Sequence, residues 1–254
     1  MIDYRNFKID IPATLYDCGN RLRRRKMLSL LPDTKNKIIL ELGCGIGDFF
    51  IALNQRKAAY KEYIGIDISF ANLLTAKRLI SKFKPLDNIS FMKADIFKLP
   101  FQDESADILI CAEVLEHLDD IEAIKEITRV LKKEGFVLIT VPYLGEPVRS
   151  WGHLRHYDLN MVKFLAEKSG LVIKKVNVFG RFHEITWVKF KRVLYKAWGL
   201  WKKVFKVDKG YYESTFHRYL IMPVWDKILV LDDVFYPPQT ILGNKGYLVA
   251  LMKK

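Results

Sequence analysis

The sequence predicts an α/β fold with a largely parallel sheet. Short apolar runs at residues 37–42, 63–67, 106–112 and 136–141 are bounded by turn residues, as buried parallel strands are. Helix-like segments separate the runs, so the chain reads as β-α repeated. The first run ends in Glu41-Leu42-Gly43-Cys44-Gly45-Ile46-Gly47-Asp48. Alternate glycines there let the backbone turn sharply and approach a ligand closely.

Bulk properties bound the class. The chain has 254 residues, half of them hydrophobic (50%), which suits one large domain or a domain with an added subdomain. Its three cysteines, Cys18, Cys44 and Cys111, form no C-x-x-C pair. This points to a reducing compartment and away from a disulfide framework or a zinc cluster, and no metal site is expected. The start, Met1-Ile2-Asp3-Tyr4-Arg5, lacks the apolar core of a signal peptide. No apolar run reaches the ~18 residues of a spanning helix, so a cytoplasmic protein is expected. The net charge of +13 is uneven, for residues 151–254 alone hold 19 Lys/Arg against 8 Asp/Glu. Such a basic flank suits an anionic lipid surface or nucleic acid, or serves solubility alone.

Residues 1–36 read as an N-terminal helical cover. A basic cluster at Arg21–Lys26 precedes apolar Met27, Leu28, Leu30 and Leu31, and Pro32-Asp33 ends the helix. The cluster is either a solvated face or a contact for an anionic group. Strand 1 runs over 37–42, and the helix after the glycine turn extends to about Gln55. Its free N–H groups and dipole face the turn's ligand. Strand 2, over 63–67, ends in Asp67. A carboxylate at that place can accept two hydrogen bonds from a ribose diol or can cap the helix that follows over 70–83. Strand 3 spans 89–94 and is followed by Asp95 and Ile96, suited to an adenine amino group and ring or to a turn. Strand 4, over 106–112, runs into Glu113-Val114-Leu115-Glu116-His117. A helix over 121–133 stops at a basic, glycine-containing segment, Leu131 to Gly135. Strand 5 spans 136–141 and ends at Pro142. Polar residues thus recur at the carboxyl ends of successive strands, where open α/β sheets bind ligands.

Four segments, ELGCGIGD, GIDIS, KADIFKLPF and DILICAEVLEHL, together resemble the successive motifs of class I S-adenosylmethionine (SAM)-dependent methyltransferases. The similarity is greatest to the small-molecule branch called type 11, which includes quinone-biosynthesis enzymes, and it covers roughly residues 20–180. It implies a Rossmann-like seven-stranded sheet with helices on both faces, a reversed last strand, and SAM as methyl donor. It also implies that Glu41, Gly43, Gly45 and Gly47 hold the methionine end and that Asp67, with Ile68 beside it, holds the ribose. Asp95 and Ile96 would hold the adenine, and Glu113 would complete the cofactor side. Trp151-Gly152-His153-Leu154-Arg155-His156-Tyr157 resembles the family's H-x-R-x-[FY] segment over the acceptor pocket. His117, His153 and His156 are therefore candidate bases, and Arg155 and Tyr157 candidate acceptor contacts; a loop anchor is the alternative. The Asn/Asp-Pro-Pro-aromatic motif of base-directed N-methyltransferases is absent after strand 4. Cys111 lacks the neighbouring proline of cytosine-C5 enzymes and reads as sheet packing. Glu113 and Glu116 stand too close together for the paired-glutamate loop of arginine methyltransferases.

Strands 6 and 7 are expected at 171–179 and 246–252. The intervening 181–244 are too many for a structureless loop and are expected to form an inserted helical subdomain, leaving 37–180 and 245–254 as the SAM-binding domain. On a helical wheel Trp187, Phe190, Trp198, Trp201 and Phe205 fall on one side, and Lys189, Lys191, Arg192, Lys196, Lys202, Lys203 and Lys206 on the other. That is the pattern of an interfacial membrane helix, or of a helix packed on its own domain. The expected function is methyl transfer to a hydrophobic or lipid-linked acceptor, of the quinone-precursor or glycan-lipid type, at the inner membrane face. RNA methylation through the basic insert is the runner-up, and a non-catalytic SAM-binding scaffold or sensor is the rival of another class. Oligomeric state is not readable from the sequence.

Overall fold

The computed structural model describes residues 18–81, 88–143, 152–179, 193, 196–200 and 246–254. Its elements are α1 (Cys18–Leu30), β1 (Ile38–Leu42), α2 (Asp48–Gln55), β2 (Glu62–Asp67), α3 (Phe70–Ile80), β3 (Ile89–Lys93), β4 (Ala106–Ala112), α4 (Asp120–Val130), β5 (Leu131–Tyr143), α5 (Leu159–Ser169), β6 (Val172–Phe179) and β7 (Gly246–Lys253). A short 3-10 turn over Leu115–His117 leads from β4 toward α4. The strands form one seven-stranded sheet in the order β3-β2-β1-β4-β5-β7-β6. β1 to β5 pair with one another in parallel, and β7 runs antiparallel to both β5 and β6. The Rossmann-like sheet with a reversed last strand is therefore present.

Alternation along the central strands sends residues to two cores. Ile108, Ile110 and Leu138 join Leu22, Met27, Phe49, Phe50 and Leu53 beneath α1 and α2. Leu109, Cys111, Val137 and Ile139 join Ala123, Ile124, Ile127 and Leu165 beneath α4 and α5. Both faces of β4 are covered, which is why its sequence is an almost unbroken apolar run. Cys111 is buried sheet packing, as expected. Among the described residues no helix is long and apolar enough to cross a membrane.

Several boundaries differ from the sequence reading, two of them for reasons visible in the contacts. The helix expected to reach Lys133 ends at Val130, and Leu131 opens β5. Leu131 is fully buried and pairs with Ala106, while Lys132 reaches Asp107 at 3.0 Å. Those tertiary contacts override the helical propensity of the segment. Pro142 does not end β5, which continues to Tyr143 beside β7. The β4 ladder stops at Thr140, so the missing N–H of Pro142 breaks no bond on that side. The inserted segment 181–244 lies outside the described residues apart from 193 and 196–200, which are helical. Residues 1–17 of the N-terminal cover lie outside them too.

The basic cluster of α1 is not a solvated face. Arg24 and Lys26 are buried, and Arg24 Nη1 donates to Asp48 Oδ2 at 2.6 Å. Burial lowers the Arg24 pKa, and the neighbouring Asp48 carboxylate opposes that shift. The pair fastens α1 to the first turn of α2. Removing one partner leaves a buried charge uncompensated. Arg24→Ala should therefore cost about 3 kcal/mol of stability in urea unfolding, and adding Asp48→Asn to it should restore part of the loss.

Candidate functional site

The sheet order reverses at β1, whose neighbours are β2 and β4. A crevice at such a switch point, outside the strands' carboxyl ends, is where open α/β sheets take ligands. The glycine turn occupies this place. Gly43, Gly45 and Gly47 have φ of 67°, 53° and 73°, a left-handed region that L side chains rarely adopt. Space is limiting as well, since a Cβ on Gly43 would meet Val114 Cγ2 at 2.4 Å. Gly47 caps α2 without a side-chain hydrogen bond.

Asp67, at the end of β2, holds this turn. Its Oδ2 accepts from the Gly45 N–H at 2.8 Å and its Oδ1 from the Ser69 N–H at 2.7 Å. Cys44 N–H donates to the Ile66 carbonyl at 2.9 Å. The Asn72 side chain also hydrogen-bonds to this carboxylate, so three of its roughly four acceptor sites are engaged and about one remains for a ribose hydroxyl. Ile68 beside it is half-buried. Burial raises the Asp67 pKa against the opposing pull of these hydrogen bonds. Next along the sheet, Ala94 N–H donates to the Asp67 carbonyl at 3.3 Å. That places Asp95, whose Oδ1 accepts from Phe97 N–H at 3.1 Å, and half-buried Ile96 on the same rim.

Glu41 lies beneath the turn, only 4% exposed, and accepts a hydrogen bond from the Tyr63 hydroxyl. Burial pushes its pKa up to about 8; the Tyr63 bond opposes this, and the charges of Asp48 and Asp67 reinforce it. Beyond β4, Glu113 has φ of 54°. Its Oε1 accepts from the Thr140 hydroxyl at 3.1 Å, and its Oε2 lies 3.4 Å from Arg23 Nη1. Burial raises its pKa, and the Arg23 charge opposes the rise.

All three candidate histidines converge. The rings of His117 and His153 stand 4.9 Å apart, and His153 Nδ1 is 2.9 Å from His156 Nε2. Burial lowers the pKa of His117, and of His153 to about 4 with help from its histidine neighbours. Both rings are thus neutral at pH 7 and present lone pairs. Arg155 and Tyr157 turn elsewhere. Arg155 Nη1 donates to Asp120 Oδ1 at 2.7 Å, and the Tyr157 hydroxyl donates to Asp120 Oδ2 at 2.9 Å. Tyr157 is only 1% exposed. The pair bolts the 152–157 segment to the start of α4, which is the anchoring alternative for this segment.

A family profile described as a methyltransferase domain matches residues 40–139, the span from β1 into β5. Over that span the chain is similar to the methyltransferase-domain family. Demethylmenaquinone methyltransferase of Staphylococcus aureus is 31% identical over 120 residues, 47% of this chain and 48% of that protein. The chain spans about half the length of the curated relatives it matches, between 45% and 48%. Phosphoethanolamine N-methyltransferase 2 of Haemonchus contortus, solved with S-adenosyl-L-methionine, superposes with a TM-score of 0.62 at 19% identity, covering 100% of this chain and 60% of that one. A SAM-dependent methyltransferase from Aquifex aeolicus has a TM-score of 0.52 at 19% identity, covering 67% of this chain and 87% of that one. Identities this low establish the shared fold.

In this domain, sequence reasoning overlooked four side chains that shape the site. Tyr63 faces Glu41, Arg23 faces Glu113, Thr140 supports Glu113, and Asp120 holds Arg155 and Tyr157. Only Arg23 carried a signal, as part of the basic cluster. The other contacts arise across strands and helices distant in sequence.

The raised pKa of Glu41 gives a pH prediction. Unfolded, the group titrates near its ordinary 4.5; folded, near 8. Between those values the folded state holds a proton that the unfolded state has released. The stability it contributes is fully present below the unfolded value and is lost as pH rises through the folded one, by up to about 1.4 kcal/mol per pH unit. Urea unfolding of the ligand-free protein from about pH 5 to about pH 8 should show this decline, and Glu41→Gln should flatten it.

Proposed function

We propose that this chain transfers the methyl group of SAM to a small-molecule acceptor that is hydrophobic or lipid-linked. The observation that carries the methyl-donor half is the left-handed glycine turn at the switch point, pinned by Asp67. In this reading Gly43, Gly45 and Gly47 let the turn approach the methionine end, and Glu41 underlies it. Asp67 takes the ribose with Ile68 beside it, Asp95 and Ile96 take the adenine, and Glu113 closes the cofactor side. SAM supplies a methyl group already activated on sulfur, so the protein's work is alignment and exclusion of water. His117, His153 and His156 face the acceptor. The neutral rings of His117 and His153 suit proton removal from an acidic hydroxyl better than from a weakly acidic one. Arg155 and Tyr157 shape the acceptor side through Asp120.

The acceptor class is supported by the demethylmenaquinone methyltransferase relatives and by the tryptophan-and-lysine periodicity within 181–244. An amphipathic helix of that composition lies in an anionic membrane interface, which suits a cytoplasmic protein working peripherally at the inner membrane face.

Isothermal titration of the full chain should show SAM binding, at least tenfold weaker in Asp67→Ala, a loss of about 1.4 kcal/mol or more. His117→Ala and His153→Ala should lower turnover while leaving SAM affinity intact. Absence of SAM binding would overturn the proposal, and binding without turnover on any acceptor would mark a SAM sensor or scaffold. Flotation with phosphatidylglycerol vesicles should carry the protein upward. Failure to float, together with RNA binding that weakens steeply with salt, would move the acceptor to RNA.

A further inference from the structure

The segment leaving β4 contains a buried group that binding of the methyl donor does not use. Glu116 is 0% exposed, and among the described residues neither of its carboxylate oxygens accepts a hydrogen bond from another residue. Native interiors satisfy such groups with a partner, a water or an ion, because an isolated buried carboxylate is costly. The groups nearby are ligand atoms. Glu116 Oε1 lies 3.8 Å from His117 Nε2. One carboxylate oxygen of Glu116, one ring nitrogen of His117 and one of His153 all lie within 4.8 Å of one another. Donors bound to one ion at about 2.1 Å stand about 3 to 3.5 Å apart, so small side-chain rotations would bring these three onto a common centre.

The surroundings suit coordination. Metal-bound imidazoles usually engage their second nitrogen with an outer partner that fixes ring orientation. His153 has such a partner in His156, with 2.9 Å between Nδ1 and Nε2, and the His117 ring is hydrogen-bonded to the backbone of Gly152. The two segments are tied together by the Leu154 N–H donating to the Glu116 carbonyl at 2.7 Å. Two imidazoles and one carboxylate suit borderline first-row divalent ions better than calcium or magnesium, and they leave positions open.

We propose that Glu116, His117 and His153 form a site for a divalent first-row transition ion, whose open positions take an oxygen of the acceptor. The place is apt, since this segment packs on the glycine turn through Val114 and Gly43. An ion there would acidify a bound hydroxyl without a strongly basic histidine. The acceptor role rests on the methyl-transfer reading; ion binding itself does not.

The test is titration of the full chain, freed of metal by chelation, with Zn2+, Mn2+ and Co2+ salts in the absence of SAM. One saturable site is expected, with affinity reduced at least tenfold in Glu116→Gln and in His153→Ala, while a separate SAM titration stays within about twofold of the parent. No saturable binding of any of the three ions, or binding unchanged in both variants, overturns the proposal. Should a variant lose SAM binding as well, the unaltered chain decides through its Co2+ absorption spectrum. Nitrogen-ligated Co2+ bands that saturate at one equivalent uphold the site, and their absence rejects it. SAM binding without metal binding would leave the methyltransferase reading standing, and the reverse would leave the metal site standing.

Discussion

The carboxylate of Asp67 connects three pieces of backbone that must agree for the site to exist. Its two oxygens take the amide hydrogens of Gly45 and Ser69, so the end of β2 sets both the glycine turn and the start of α3. Three left-handed residues in five are intrinsically costly to order, because glycine gives up more conformational freedom than any other residue. A carboxylate accepting two backbone N–H groups is a strong, directional counterweight. The turn in turn aims α2 and, through Gly43, receives the Val114 segment that carries Glu113, Glu116 and His117. Loss of the Asp67 contact would loosen the glycine turn and the Val114 segment together.

This arrangement crowds acidic groups. Glu41, Asp48, Asp67, Glu113 and Glu116 gather around the carboxyl ends of β1, β2 and β4, and burial alone pushes several toward their neutral forms. Helix α1 answers from the far N-terminal side with Arg24 on Asp48 and Arg23 near Glu113. The N-terminal cover is thus an electrostatic component of the site as well as a lid on the apolar core. Burial, reinforced by the Asp48 and Asp67 charges, favours the protonated form of Glu41, whose partner is the Tyr63 hydroxyl.

Much of this was legible in the sequence because the relevant signals are local. The apolar runs, the glycine spacing and the acidic strand ends sit within short windows, and their repetition across strands marked the sheet and the place proposed for the methyl donor. Ser69 as the cap of α3 and Gly170 after α5 also follow local rules. What the sequence hid was pairing between distant residues. Tyr157 reads as an acceptor contact, and nothing local shows that its hydroxyl donates to Asp120 on another element. Leu131 reads as helix until its burial beside Ala106 is known. The basic cluster offers no local clue that Arg24 is buried rather than solvated. Nothing local in the sequence marks Glu116 as buried, and only the fold shows its carboxylate sealed beside two histidines.

Backbone hydrogen exchange with and without SAM tests the central claim most directly, because it reports on the turn itself rather than on affinity or turnover. The account predicts that SAM slows exchange at amides 43–48 and 67–69, and at 95–97, the proposed place of the adenine end. Saturation with SAM that leaves the glycine turn unprotected, with protection confined to other parts of the chain, would contradict it.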